Sequence, residues 1–259
     1  MAIFETIGRG TAPDGTELTL VRRGDEWVVR IAGQILMSSR MHDSEESLAR
    51  LAFERMPAPA RVLVGGLGLG YTLRAVLDRA PKTTRVFVAE LVPAVVEWNR
   101  EHVGHLAGNP LEDPRVAMKV GDVSKLLAGA HGTLDLALLD VDNGPSAVAH
   151  ETNAGLYSER GTRACREALA PNGILAVWSA GPDERYVERL TKAGFEVEVV
   201  RAAARGSRGG QRHVVFIAKK LARVPERAPE RAPERTRGRP TSAGGRGANA
   251  PRIKPRRER

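Results

Sequence analysis

A glycine-rich turn between an apolar strand and a helix constrains this fold more than any other feature. Residues 62–72 read Val-Leu-Val-Gly-Gly-Leu-Gly-Leu-Gly-Tyr-Thr, with a helix predicted from about Tyr71. Glycine permits the tight turn and lets a ligand approach the backbone, while the helix start supplies N–H groups without intrahelical partners. We therefore interpret Gly66, Gly68 and Gly70 as a cofactor-binding loop; a plain structural turn is the alternative.

Apolar segments alternate with helical segments from residue 60 to about 220, which predicts a parallel sheet with helices on both faces. The predicted strands are Arg61–Val64, Arg85–Ala89, Val116–Val120, Leu134–Leu139, Gly173–Trp178, Phe195–Val200 and His213–Ala218. Residues 201–212 leave no room for a crossover helix, so the last two strands should pair as an antiparallel hairpin. A small β meander, predicted over Thr16–Val21, Glu26–Ile31 and Gln34–Met37, precedes a helix from Ser44 to about Arg55.

Composition divides the chain into three zones: residues 1–56 with the meander and its helix, residues 57–220 with the sheet, and residues 221–259 as a tail. Residues 219–259 hold 14 of the 40 Lys and Arg and 4 of the 31 Asp and Glu, a net charge of +10, which leaves −1 for residues 1–218. The tail has almost no apolar residue to bury, so we expect it to be disordered. Any contact with nucleic acid or another anionic partner should be confined to it.

Cysteine and hydropathy patterns indicate the compartment. The single cysteine, Cys165, excludes an internal disulfide framework and fits a reducing cytoplasm. No segment approaches the ~20 apolar residues of a membrane span, and the first ten residues lack a secretory pattern. His102 and His105 have no third ligand at a defined spacing. We therefore expect a cytoplasmic protein without membrane contact and without a metal.

Acidic residues follow two further strands at positions that suit a nucleoside. Glu90 lies after the second strand, twenty residues beyond Gly70, and its two acceptor oxygens suit a pair of ribose hydroxyls. Asp122 closes the third strand, where it can accept from an adenine amino group while Val123 packs on the ring. The alternatives are a solvated acid for Glu90 and a helix cap for Asp122, although one residue can both cap and bind.

Polar side chains crowd the end of the fourth strand. Asp140 emerges at its carboxyl end, where open α/β sheets place their ligands, and Asp142 and Asn143 follow in a turn. Two carboxylates and an amide beside a cofactor suit a general base or the binding of a cationic amine. Trp178 ends the fifth strand and can line the substrate side of the pocket. Turn chemistry for the acidic and amide residues, and simple packing for Trp178, are the alternatives.

The order of these motifs resembles the spermidine synthase (polyamine aminopropyltransferase) family. The likeness covers about residues 18–220 and rests on residues 62–72, 86–98, 121–122, 135–140, 155–158 and 169–175. It implies a Rossmann-like fold of the S-adenosylmethionine-dependent methyltransferase and aminopropyltransferase type, with a small N-terminal β meander, an antiparallel terminal hairpin and a homodimer. Enzymes of the family bind decarboxylated S-adenosylmethionine, and an aspartate after the fourth strand deprotonates putrescine, which attacks the aminopropyl carbon. Asp140 matches that base.

The sequence also departs from the family pattern. Leu69 stands where an aspartate usually holds the cofactor amine, and residues 140–143 read Asp-Val-Asp-Asn instead of Asp-Ser-Ser-Asp. Met37, followed by Glu45-Glu46-Ser47, falls near the places of a Gln and a Tyr-His-Glu that contact substrates. Three hypotheses follow: aminopropyl transfer from decarboxylated S-adenosylmethionine to an amine, methyl transfer from S-adenosylmethionine, and a non-catalytic protein that binds adenosyl metabolites.

Overall fold

The N-terminal part of the chain forms a four-stranded antiparallel sheet in the computed structural model, which describes residues 4–141, 144–145, 155–202 and 213–222. Its strands lie in chain order: β1 Glu5–Thr11, β2 Glu17–Arg23, β3 Glu26–Ile31 and β4 Gln34–Ser38. The predicted meander corresponds to β2–β4. The sequence prediction missed β1, whose Gly8 and Gly10 pass so close to Trp98 and Ala94 that a Cβ at either glycine would lie 2.4–2.5 Å from those side chains. Packing, rather than strand propensity, therefore selects this strand.

The second sheet has seven strands in the order β10-β11-β9-β8-β5-β6-β7. Their bounds are β5 Arg61–Gly65, β6 Arg85–Glu90, β7 Val116–Val120, β8 Leu134–Leu139, β9 Leu169–Ser179, β10 Phe195–Ala202 and β11 His213–Lys220. Strands β5–β9 pair in parallel, whereas β11 is antiparallel to both β9 and β10. The predicted terminal hairpin and Rossmann-like fold class are confirmed. The strand order reverses between β5 and β8, and such a switch point is where open α/β sheets bind ligands.

Helices cover both faces of this sheet. They are α1 Asp43–Arg55, α2 Tyr71–Arg79, α3 Pro93–Trp98, α4 Val123–Gly129, α5 Glu159–Ala168 and α6 Glu184–Lys192, and α3 continues into a π-helical turn, Asn99–Val103. Side chains alternate across the strands: Val62 and Val64 pack with α1–α3 and the N-terminal sheet, while Leu63 packs with α4–α6. The N-terminal sheet therefore shares one of the two cores and lies over the same face as α1–α3.

Within the described residues, no helix is long and apolar enough to cross a membrane. The basic tail lies outside the described residues except for Leu221 and Ala222. Its disorder and the proposed zone boundaries stay predictions.

Candidate active site

A cleft with a cavity volume of about 210 Å³ opens at the carboxyl ends of the parallel strands. The glycine loop after β5, the acid at the end of β6 and the acids after β7 and β8 form one side. Residues of β2–β4 and α1 form the other. Of the residues predicted from sequence, Gly66, Gly68, Glu90, Asp122, Val123, Asp140 and Trp178 line the cleft. Gly70 is the N-cap of α2 and is not among its lining residues. Asp142 and Asn143 lie outside the described residues.

The glycine loop requires glycine at Gly66 because of one close backbone approach. Gly66 has φ +89°, and a Cβ there would lie 2.2 Å from the main-chain oxygen of Asp140. The amide of Asp140 in turn donates to the carbonyl of Gly65 (2.8 Å). Gly66 and Asp140, the first residues after β5 and β8, are therefore in direct backbone contact. This contact fixes the position of the glycine loop relative to the Asp140 carboxylate.

Glu90 holds the glycine loop in place. Its side chain is only 8% exposed, and its two oxygens accept from the amides of Leu67 and Val92, each at 2.9 Å. Burial raises the pKa of Glu90, and these amides partly oppose that shift. Because each carboxylate oxygen has two lone pairs, both can still accept from a hydroxyl. Glu90 therefore shapes the loop and can receive a ribose from the same position.

Asp122 and Val123 form the neighbouring part of the cleft. The Oδ1 atom of Asp122 accepts from the amide of Ser124 (2.7 Å), which makes Asp122 the N-cap of α4. Val123 is buried where α4 begins. The helix-cap interpretation therefore describes one oxygen of Asp122, and capping through Oδ1 is compatible with adenine contact through Oδ2.

Asp140 lies at the floor of the cleft, directly after β8. Its Oδ2 atom accepts from the hydroxyl of Thr72 at 2.5 Å. Burial raises the pKa of Asp140, and the Thr72 hydrogen bond opposes the shift. A carboxylate with a raised pKa holds a proton more firmly than a free one, which suits a general base. Sequence reasoning missed Thr72, although it lies four residues before the buried Val76 and hence on the inner face of α2.

A second acid, Glu45, lines the cleft from the first turn of α1. The sequence placed Glu45 near the family's substrate-contacting Tyr-His-Glu but did not predict it as a site residue. It lies three and four residues before the buried Leu48 and Ala49, so it shares their inner face. Its Oε2 atom accepts from the hydroxyl of Ser44 at 2.6 Å. Burial, together with the negative charge of Asp140, raises the pKa of Glu45 to about 7. Glu45 and Asp140 therefore line the same cleft and interact electrostatically.

Leu69 and Trp178 give the cleft apolar surfaces. Leu69 is buried among apolar side chains at the position where family members carry an acid. Trp178 packs beside His213, with ring centroids 4.9 Å apart, and its buried indole nitrogen has no hydrogen-bond partner among the described residues. The position of Trp178 allows it to contact a substrate.

Cys165 and His105, for which the sequence predicted no role in the chemistry, do not line the cleft. Cys165 is buried, and burial raises the pKa of its thiol to about 12, which leaves it in the unreactive thiol form. His105 packs edge-on against Trp27, with ring centroids 6.1 Å apart. Within the described residues, no group of three His, Cys, Asp or Glu side chains could hold a metal ion.

The class of protein follows from three features of the sheet: a glycine loop at the switch point, an acid at the end of β6 and an acid after β8. Together they define a Rossmann-like protein with a nucleoside-type cleft. The model of the spermine/spermidine synthase domain family matches residues 41–192, more than half of the chain. The protein therefore belongs to the spermine/spermidine synthase family, and the resemblance seen in its sequence is confirmed.

Curated relatives of this chain include polyamine aminopropyltransferases. A polyamine aminopropyltransferase of Mycobacterium tuberculosis is 28% identical over 191 residues, which cover 70% of this chain and 35% of the relative. One from Leptospira biflexa is 31% identical over 178 residues, covering 67% of this chain and 54% of the relative. The chain thus spans about a third to half of the length of these relatives. A spermidine synthase solved with the transition-state analogue AdoDATO has TM-score 0.67 at 20% identity, over 83% of this chain and 72% of that one; this likeness shows the fold.

Proposed function

We propose that this protein transfers an aminopropyl group from decarboxylated S-adenosylmethionine to an amine. One observation carries the proposal: the glycine loop, Glu90 and Asp140 line a single cleft at the switch point of the sheet. A nucleoside-binding set beside an acid with a raised pKa is the combination that amine alkylation needs. Membership of the spermine/spermidine synthase family supports the same reaction class.

The residues present fit the adenosyl part of this cofactor. Glu90 would hold the ribose hydroxyls, Asp122 the adenine amino group, and Val123 the face of the ring, while Gly66 and Gly68 leave room for the nucleoside to approach the backbone. The cofactor's aminopropyl ammonium has no carboxylate at Leu69. The other acids that line the cleft are Asp14, Glu45 and Asp140.

Asp140 has the central chemical role in this proposal. When bound, the cofactor supplies an aminopropyl carbon activated by a sulfonium, which is released as the neutral thioether methylthioadenosine. Asp140 accepts a proton from the nitrogen of the acceptor amine, so that the nitrogen lone pair is free to form the new bond. Thr72 fixes the carboxylate through its 2.5 Å hydrogen bond. Asp142 would assist as a second acid, and Asn143 and Trp178 would contact the substrate.

A product assay tests this function. The protein is incubated with a panel of mono- and diamines and either decarboxylated or intact S-adenosylmethionine, and products are identified by mass spectrometry. Aminopropylated amine together with methylthioadenosine is expected from the decarboxylated cofactor. Methylated amine from intact S-adenosylmethionine would instead indicate methyl transfer, the alternative that the missing acid at Leu69 leaves open. Nucleoside binding without any product would indicate the non-catalytic alternative.

The partner and location predictions are proposals of the same kind. A homodimer follows from the family resemblance, and weak contacts with nucleic acid or anionic surfaces follow from the +10 charge of residues 219–259. A cytoplasmic location follows from the single cysteine and the absence of a secretory pattern.

A further inference from the structure

Among the acids that line the cleft, Asp140 is the proposed base, whereas Glu45 has no role in the reaction as described so far. Asp140 follows β8, whereas Glu45 projects from the first turn of α1. The hydroxyls of Thr72 and Ser44 donate one hydrogen bond to each. Within the described residues neither Asp140 nor Glu45 forms an ion pair, whereas Glu46 forms a hydrogen bond with the His42 ring at 3.1 Å. Like charges in one partly buried space repel, and a bound cation relieves that repulsion.

As a base, Asp140 contacts only one of the two nitrogens of a diamine substrate. When Asp140 takes the proton from the reacting nitrogen of a diamine, the other nitrogen remains an ammonium. A buried ammonium needs a carboxylate or several acceptors. Glu45 lines the cleft, and its charge interacts with that of Asp140.

We propose that Glu45 binds the non-reacting ammonium of a diamine substrate and so selects diamines over monoamines. The inference rests on the proposed function. It assigns the second anionic substrate contact to Glu45 on α1, whereas the sequence pattern suggested the turn after β8. The placement follows from helix geometry: Glu45 lies one turn before Leu48 and Ala49 and faces inward, while Glu46 is exposed. Glu46→Gln is therefore a matched control, with the same chemical change one residue away on the solvent side.

Calorimetry with amines tests this role without turnover. Putrescine and 1-aminobutane are titrated into the wild type, Glu45→Gln and Glu46→Gln, each saturated with methylthioadenosine, whose own affinity reports that the cleft is folded. We expect the wild type and Glu46→Gln to prefer putrescine. We expect Glu45→Gln to lose roughly 10- to 100-fold in putrescine affinity, the equivalent of one charge-assisted hydrogen bond, with little change for 1-aminobutane.

The pH dependence gives a second test. The titratable groups around Glu45 are Asp140 after β8, Tyr71 on α2, and Asp43 and Glu46 on α1, with His42 before α1. Since only ionised Glu45 attracts the ammonium, and its pKa is about 7, the wild-type advantage over Glu45→Gln should shrink roughly tenfold between pH 8 and pH 6. Because Glu45 and Asp140 influence each other's ionisation, the same titration of Glu46→Gln, which keeps both acids, is the control: it should show the wild-type pH dependence.

The outcomes separate the two claims. If the wild type binds putrescine and Glu45→Gln binds it equally well, the role of Glu45 is wrong and the proposed function stands. If the wild type binds methylthioadenosine but no amine, both the role of Glu45 and the proposed amine transfer are wrong.

Discussion

Replacing Gly66 with alanine should damage the cleft far more than the same change at another left-handed glycine. Gly66 has φ +89°, and Gly132, in the turn before β8, has φ +68°. Either substitution places a side chain in the left-handed region, at a cost of about 1–2 kcal/mol. A Cβ at Gly132 meets no atom of the described part of the chain within 4 Å, whereas a Cβ at Gly66 lies 2.2 Å from the carbonyl oxygen of Asp140. Gly132→Ala is therefore the control that isolates the contact.

The close contact at Gly66 determines how much unfolding free energy Gly66→Ala should lose. Carbon and oxygen at 2.2 Å must separate by about 1 Å, and because both belong to the backbone, the loop and the end of β8 must move apart. Such overpacking costs a further ~1–3 kcal/mol, so Gly66→Ala should lose about 2–5 kcal/mol of unfolding free energy in total. A displacement of about 1 Å at the reacting groups can reduce the rate roughly 100-fold.

Urea unfolding and calorimetry with methylthioadenosine provide the readouts. We expect Gly132→Ala to bind like the wild type and Gly66→Ala to bind at least ~10-fold more weakly, since its loop no longer packs against Asp140. Equal unfolding free energies and equal affinities for the two variants would refute the claim that this backbone contact builds the cleft.

Two further substitutions probe the chemistry of the cleft. Asp140→Asn should abolish turnover while methylthioadenosine affinity stays within a few-fold, because a base acts in the transition state; product assays and calorimetry measure both, and unchanged turnover would rule Asp140 out as the base. Leu69→Asp should raise the affinity for decarboxylated S-adenosylmethionine relative to methylthioadenosine by roughly tenfold, because a carboxylate would then face the cofactor ammonium. Comparing the two affinities within one variant corrects for any loss of stability. An unchanged ratio would mean that position 69 does not contact the cofactor's amine.

Local patterns were enough to predict most of the fold. The central parallel strands β5 and β8 have nearly continuous apolar runs because both of their faces are buried, whereas the edge strand β7 is largely exposed. The helix from Tyr71 begins where the glycine turn ends. Strand β1 escaped prediction because Gly8 and Gly10 weaken its strand propensity, and they are present for a tertiary reason, the close approach of Trp98 and Ala94. Such a requirement is invisible until the partner helix is in place.

Part of the site could also be predicted, because local sequence patterns indicate where each strand ends. Glu90, Asp122 and Asp140 each end a strand, so topology alone brings them to one edge of the sheet. Thr72 and Glu45 reach the cleft from helices, and only the helical spacing to buried residues such as Val76 and Leu48 indicates that they face inward. That Glu90 accepts from the amide of Leu67 depends on the conformation of the loop, which sequence spacing does not specify.

The most direct test of the account is whether Glu90 binds a ribose in this cleft. Methylthioadenosine and its 2′-deoxy analogue are titrated into the wild type and Glu90→Gln. We predict a wild-type dissociation constant of ~1 mM or tighter for methylthioadenosine, a loss of roughly tenfold on removal of the 2′-hydroxyl, and little further loss from that removal in Glu90→Gln. No binding at millimolar concentration, or an equal penalty for the deoxy analogue in both proteins, would contradict it.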